Sequence, residues 1–262
     1  MTAQLPLRSR HAVVTGGGHG IGASIAGELA KLGAQVTLLG RNRTLLDAHA
    51  EVLRTEWHAE VAAICCDITD GGSVERAFGA ARDNFGPPYV LVNNAGQAES
   101  AGVLETTREL WDRMLSINLS GAFLCAQQVL AEMLESRSGR IINIASTAGL
   151  KGYSHLVAYC ASKHGLIGLT RALAIETAKM GITVNAVCPA YTEGTMTEKA
   201  IESLSRNTGK TPDEARETIV RVIPRRKLMR AEEVSYVVGW LCGDHASGIT
   251  GQAIAVAGGE VM

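Results

Sequence analysis

The chain has 262 residues, 46% of them hydrophobic and 19% charged, with a formal net charge of -1. That length suits a single α/β domain with a full core, and the near-zero charge excludes the basic footprint of a nucleic-acid binder. The six cysteines, at positions 65, 66, 125, 160, 188 and 242, show no C-x-x-C or zinc spacing, so they read as small core residues in a reducing compartment, with no metal site.

In chain order, Ala12 to Thr15 is a short apolar strand before a glycine cluster, and helical spacing runs from Ile21 to Leu32, stopping at Gly33. Gln35 to Leu39 is a strand, Thr44 to Trp57 a helix, and Val61 to Cys66 a third strand closed by Asp67. Ser73 to Asn84 is a helix, and Tyr89 to Val92 a fourth strand ending in Asn93-Asn94-Ala95-Gly96. A long helix is predicted over roughly 108–136, a strand over Arg140 to Ile144, and a second long helix over roughly 156–180. Thr183 to Val187 is a sixth strand, and Ala253 to Val256 is the candidate seventh. Within the first long helix, Met114 to Ala131 is uncharged and approaches the length of a membrane span. It holds Ser116, Asn118, Ser120, Gln127 and Gln128, so a buried helix is the better reading. Met1 to Arg8 has no apolar signal core, and a soluble, cytoplasmic protein with no membrane partner is expected.

Short apolar strands alternating with helices predict a doubly wound parallel sheet of about seven strands, with helices on both faces. One domain, 1–262, is expected. The polar segment at about 190–224 breaks the rhythm just after a strand end, where such sheets bind ligands, and is a candidate substrate lid.

Thr15-Gly16-Gly17-Gly18-His19-Gly20-Ile21-Gly22 joins the first strand to the first helix. Glycines there allow a tight turn and close approach of backbone to a pyrophosphate, and the helix N-terminus offers free N–H groups. His19 is either a further phosphate contact or a plain exposed loop residue. The second strand ends in Leu38-Leu39-Gly40-Arg41-Asn42-Arg43, with no carboxylate to accept a ribose 2′-hydroxyl. Arg41 suits a 2′-phosphate instead, which predicts NADP(H) over NAD(H); the other reading is a solvated strand-end arginine. Tyr159 and Lys163, four apart, share a helix face. The ammonium is expected to lower the phenol's pKa and make it a proton shuttle. With the nucleotide turn, this predicts hydride transfer to and from a carbonyl or alcohol.

The ordered set of the T-G-x-x-x-G-I-G turn, Asp67-Ile68, Asn93-Asn94-Ala95-Gly96, Asn118, Ser146, Tyr159-x-x-x-Lys163 and Pro189 resembles the short-chain dehydrogenase/reductase family across nearly the whole chain. The resemblance implies a single Rossmann-type domain, a nicotinamide cofactor and a homotetramer built partly from the two long helices. It implies that Tyr159 exchanges a proton with the substrate oxygen and that Lys163 tunes it and holds the nicotinamide ribose. Ser146 would donate to the substrate oxygen, and Asn118 would bind a water that links Lys163 to solvent. Asp67 and Ile68 would flank the adenine, and Asn93, Asn94, Ala95 and Gly96 would line the cofactor groove and brace the sheet. Two departures stand out. Ala190 follows Pro189 where the family commonly has glycine, and Gly194 stands where many members have a cofactor-contacting threonine. Thr192 or Thr195 is the candidate substitute. His155 and His164 are expected to be structural or on the surface.

Several segments look similar to bacterial 3-oxoacyl-thioester and polyketide ketoreductases: Arg140 to Ser146, Ala161 to Thr170 and Gly181 to Pro189. A small-molecule carbonyl or alcohol, carried on coenzyme A or a carrier protein or a related cyclic ketone, is the expected substrate. The basic run Arg225-Arg226-Lys227 with Arg230 reads either as a phosphate attractor or as a solvated charge cluster. Tyr153, Tyr191 and Met196 are candidate pocket-wall residues. The alternatives are a dehydrogenase of a small secondary alcohol, sugar or aromatic alcohol, and, in a different class, a non-catalytic nucleotide-binding subunit.

Overall fold

The computed structural model describes residues 5–262; part of the leader reading falls on the first four residues, outside that range. Seven strands, β1 (His11–Thr15), β2 (Gln35–Gly40), β3 (Val61–Cys65), β4 (Val90–Asn93), β5 (Gly139–Ile144), β6 (Ile182–Pro189) and β7 (Ala253–Val256), form one parallel sheet in the order 3-2-1-4-5-6-7. The direction of winding reverses between β1 and β4, which opens a crevice beyond their carboxyl ends.

Side chains alternate across the sheet, and each face builds its own core. Ala12, Val14 and Leu38 pack with Ile25 and Leu29 of α1 (Gly20–Lys31), Leu46 and Leu53 of α2 (Arg43–Trp57), and Val234 and Val238 of α9 (Ala231–Cys242). Val13, Leu39 and Leu91 pack on the other side with Phe78 of α3 (Gly71–Phe85), Val129 and Met133 of α5 (Gly121–Ser136), and Leu173 of α6 (Val157–Thr177). Each of these buried side chains other than that of Ala12 contributes about 1.5–3 kcal/mol relative to exposure.

Helix starts follow the local chemistry. Asn42, Asp70 and Thr107 accept a backbone N–H in the first turn of α2, α3 and α4 (Arg108–Leu115). α1 has no such side-chain cap, so its first N–H groups stay available to a ligand.

The predicted continuous helix over 108–136 is instead α4, a π turn over Ser116–Ser120, and α5. The wider turn carries Asn118, whose amide is held by the backbone of Gln97. Single π turns are a known device for re-aiming a side chain inside a helix. By length and composition alone the stretch passes for a membrane span, yet its apolar side chains Cys125, Ala126, Val129 and Met133 join the sheet core.

The segment at 190–224 folds as α7 (Thr195–Thr208) and α8 (Pro212–Arg221), the latter opened by a capping box between Thr211 and Glu214. Ile201, Ala215, Ile219 and Ile223 give it a small core with Leu228 and Met229. The segment is therefore a packed helical pair. α9 is not among the elements expected from the sequence, although Val234, Val238 and Leu241 recur at helical spacing behind Glu232 and Glu233. The cysteines are all free thiols; Cys66, Cys125, Cys188 and Cys242 are buried and Cys65 is exposed.

Candidate active site

The glycine turn is held by close backbone packing. Gly16 has φ 66°, and its N–H donates to the Leu39 carbonyl at 2.7 Å. A Cβ on Gly22 would lie 2.2 Å from the Gly16 oxygen, so only glycine lets α1 start this close to the turn. Gly20 also has positive φ but faces open space, where an approaching ligand would meet bare backbone. His19 precedes the helix in an extended conformation and caps nothing. Ile21 is half-buried against the α1–α2 core.

The Asn93–Gly96 turn is clamped to β1 through one hydroxyl. Thr15 Oγ1 accepts the backbone N–H of Asn94 and of Ala95, both at 3.0 Å, and donates to the Val92 carbonyl at 3.4 Å. Asn94 returns its amide N–H to the Thr15 carbonyl at 2.9 Å. Asn93 donates to Asn143 Oδ1 at 2.9 Å, and Asn143 donates to Thr170 Oγ1 at 2.8 Å, tying β4, β5 and α6 together inside the protein. A Cβ on Gly96 would approach Asn118 Oδ1 to 2.8 Å and Lys163 Nζ to 3.4 Å, so this turn meets the catalytic candidates directly.

Beyond β2, Arg41 is exposed, while Arg43 is engaged by Asp47 at 2.7 Å. The Asp67 carboxylate lies below its ordinary range because the Thr69 backbone N–H and hydroxyl donate to it, with a smaller contribution from the Arg41 charge. Arg41 and Asp67 thus border the same space. Ile68 is buried, and a Cβ on Gly121 would meet its Cδ1 at 2.7 Å, so its side chain packs into the α3–α5 core.

The carboxyl ends of β5 and β6 bring the remaining candidates together. Ser146 follows β5 in extended conformation, and its hydroxyl accepts the Ala148 N–H at 3.1 Å. Its own O–H remains to donate. Tyr159 and Lys163 are buried on α6. Lys163 Nζ donates to the Ile144 carbonyl at 2.9 Å and sits 5.7 Å from the centre of the Tyr159 ring. Asn118 Nδ2 donates to the Gln97 carbonyl at 2.8 Å, and its Oδ1 accepts the Gln97 N–H at 3.0 Å.

The expected lowering of the Tyr159 pKa by Lys163 is not what the geometry gives. Burial pushes the phenol up to about 12, opposed in part by the Ser146 hydroxyl, and burial brings Lys163 down to about 8. The reason is that the ammonium is anchored on the end of β5 and not on the phenol oxygen. Pro189 closes β6 beside Val256 of β7. Thr192 is buried with its hydroxyl donated to the Ala190 carbonyl at 3.0 Å, whereas Thr195 begins α7 at the surface. His164 is exposed and bonded to the Cys160 carbonyl, and His155 holds a left-handed φ of 62° at the surface. Tyr191 is half-buried and Met196 is exposed.

Two partners escape sequence reading. Gln97 fixes Asn118 by backbone alone, so its side-chain identity carries no signal. Glu260 lies buried against Tyr153 and Lys151; a lone acid behind two glycines near the end of a chain gives little warning of such burial.

A switch-point crevice floored by glycine, an uncapped helix start and a half-buried Ser146 beside the buried Tyr159 and Lys163 define a Rossmann-fold nicotinamide enzyme. Residues 10–205 match the family model for short chain dehydrogenases, and the chain belongs to the short-chain dehydrogenase/reductase family, as an oxidoreductase acting on ketones and secondary alcohols. It is 40% identical over 250 residues to a Streptomyces violaceoruber protein provisionally described as ketoacyl reductase 1 of the granaticin polyketide synthase, covering 95% of this chain and 92% of that one. It is 35% identical over 253 residues to levodione reductase of Leifsonia aquatica, covering 96% and 94%. The crystal structure of a single-residue variant of the actinorhodin polyketide ketoreductase with NADPH superimposes with a TM-score of 0.93 at 39% identity, covering 96% of this chain and 97% of that one.

Proposed function

We propose that the chain is an NADP(H)-dependent ketoreductase for 3-oxoacyl thioesters or related cyclic ketones. The observation that carries this reading is the convergence of Ser146, Tyr159, Lys163 and Asn118 on the space beside the glycine turn. The nicotinamide, when bound, supplies the hydride for reduction and accepts it in the reverse direction. Ser146 donates to the substrate oxygen and orients the carbonyl. Tyr159, protonated across the neutral range, gives its phenolic proton to that oxygen. Lys163 holds the ribose hydroxyls and stabilises the phenolate left behind, and Asn118 positions a water that returns the proton from solvent. Gly16, Gly20, Gly22 and the open N-terminus of α1 suit a pyrophosphate, with His19 and Ile21 flanking it. Asp67 and Ile68 border the adenine, Asn93 to Gly96 line the groove, and Pro189 and Thr192 flank the nicotinamide end.

Arg41, beside Gly40 and with no ion pair among the described residues, favours a 2′-phosphate. The thioester part is supported by an open surface groove of about 480 Å³ where Arg216, Arg225, Arg226, Lys227 and Arg230 line the wall with Glu193, Val220 and Leu228. Glu198 and Glu233 neutralise Arg216 and Arg225, which leaves three cations to meet the phosphates of coenzyme A or a carrier arm. The α7–α8 pair acts as the substrate lid over one catalytic domain. The protein works as a cytoplasmic homotetramer, and the exposed Phe123, Val157 and Ile175 of α5 and α6 supply part of the contact.

The test is oxidation of NADPH and of NADH, each with acetoacetyl-CoA and with a simple cyclic ketone. Faster NADPH oxidation with the thioester supports both parts. Turnover of the ketone alone returns the basic groove to plain surface, and turnover of neither overturns the reading. The levodione relative is the specific observation that keeps a free cyclic ketone as the second substrate class.

A further inference from the structure

The loop from β5 to α6 carries Ser146 and delivers Tyr159. Its far side is tied to the residues after β7 by a single buried carboxylate. Gly258 and Gly259, with φ of 56° and 92°, turn the chain inward, and the Glu260 side chain is only 1% exposed. Its Oε1 accepts from the Tyr153 phenol and pairs with Lys151 Nζ at 3.2 Å. The Tyr153 oxygen lies 2.6 Å from Thr147 Oγ1. A phenol has one proton, and the carboxylate is the stronger acceptor. The order is therefore Thr147 donating to Tyr153, Tyr153 to Glu260, and Lys151 to Glu260. Thr147 is buried and adjacent to Ser146, and its carbonyl holds the N–H groups of Leu150 and Lys151 at 2.9 and 3.0 Å.

This carboxylate is a poor device for stability. Glu260 Oε2 is buried with no partner, an arrangement that costs folding free energy. Apolar side chains at positions 260 and 153 together would fill the space without that cost, whereas an apolar side chain at 260 alone strands the Tyr153 proton.

We propose that Glu260 is a positioning residue for carbonyl reduction. It fixes Tyr153 and Thr147, and through them sets the Ser146 hydroxyl against the substrate oxygen. This rests on the role given above to Ser146 and Tyr159.

The experiment compares Glu260→Gln, Glu260→Met and Tyr153→Phe with wild type, and includes Tyr159→Phe as a reference. It measures kcat and KM with NADPH and the better of acetoacetyl-CoA and the cyclic ketone, NADPH affinity by fluorescence, and melting temperature. Loss of positioning is expected to lower kcat about 10- to 100-fold, with NADPH affinity unchanged. The Glu260→Met/Tyr153→Phe double variant, which strands no donor, should melt no lower than wild type, and its kcat should be no lower than that of either single variant. Full kcat in folded Glu260→Gln and Glu260→Met overturns the proposal, as does a loss that merely follows melting temperature or NADPH affinity. If Tyr159→Phe is inactive while the Glu260 variants are fully active, this proposal alone fails. If Tyr159→Phe turns over normally, or wild type turns over neither substrate, the underlying reading fails and takes this one with it.

Discussion

At Tyr159 and Lys163, burial sets the proton chemistry. A phenol at about 12 is an acid that stays loaded at neutral pH, which suits reduction better than alcohol oxidation. Removing it in Tyr159→Phe is expected to cost about 10²- to 10⁴-fold in kcat, with NADPH affinity retained in a fluorescence titration. Lys163 carries a stability consequence of opposite sign. Its folded pKa is about 8 against an ordinary 10.5, so between those values the unfolded chain binds more protons and stability rises with pH. Below pH 8 the whole penalty is present. Lys163→Met should therefore raise stability at pH 7 by up to about 3 kcal/mol, less the lost bond to Ile144, and flatten the rise above pH 8. Denaturant unfolding at two pH values checks this. Tyr159 acts the other way from its ordinary 10 up to about 12, where the folded phenol keeps a proton the unfolded chain has lost. Stability then falls with rising pH. Beyond β2, a Cβ on Gly40 would make only an ordinary 3.4 Å contact with Leu46, so Gly40→Asp with Arg41→Ala should fold normally. Loss of a charge-assisted phosphate bond should shift the NADPH:NADH ratio of kcat/KM about 10- to 100-fold toward NADH.

Among the elements, the start of α1 is the least forgiving. Gly22→Ala would place a methyl 2.2 Å from a backbone oxygen with no flexible side chain to yield. It is expected to destabilise the fold by about 1–3 kcal/mol and to weaken NADPH binding, both readable in one thermal-shift titration. The strand–helix alternation is legible in the sequence because β1, β4 and β5 are apolar runs bounded by turn residues. The nucleotide turn and the Tyr159–Lys163 pair are legible because their spacing is local. The π turn is not, since Ser116 to Ser120 scans as ordinary helix and only the tertiary bond to Gln97 reveals it. The pKa of Tyr159 goes astray for a similar reason: spacing places an ammonium near a phenol, but whether it points there depends on Ile144, nineteen residues away. Glu260 belongs to the same class, its neighbours lying more than a hundred residues back.

In the whole molecule, two cores press on one sheet and leave the carboxyl ends of the strands for chemistry. Phe123 of α5 and Val157 and Ile175 of α6 leave apolar side chains exposed on the outer faces of these helices. If the proposed homotetramer forms, Phe123→Asp with Ile175→Asp is expected to lower the mass seen by sedimentation toward smaller species, with the monomer fold kept. The crevice itself is fixed in width by Thr15. Its hydroxyl has both lone pairs and its proton already used within the protein. A slot braced in this way does not wait for its occupant to give it shape. Nucleotide binding should then change the hydrogen-exchange protection of β1 and β4 very little. The entropic loss of association should fall on the ligand and, if the α7–α8 pair closes as the proposed lid, on that pair, so a calorimeter would register the helices and not the crevice.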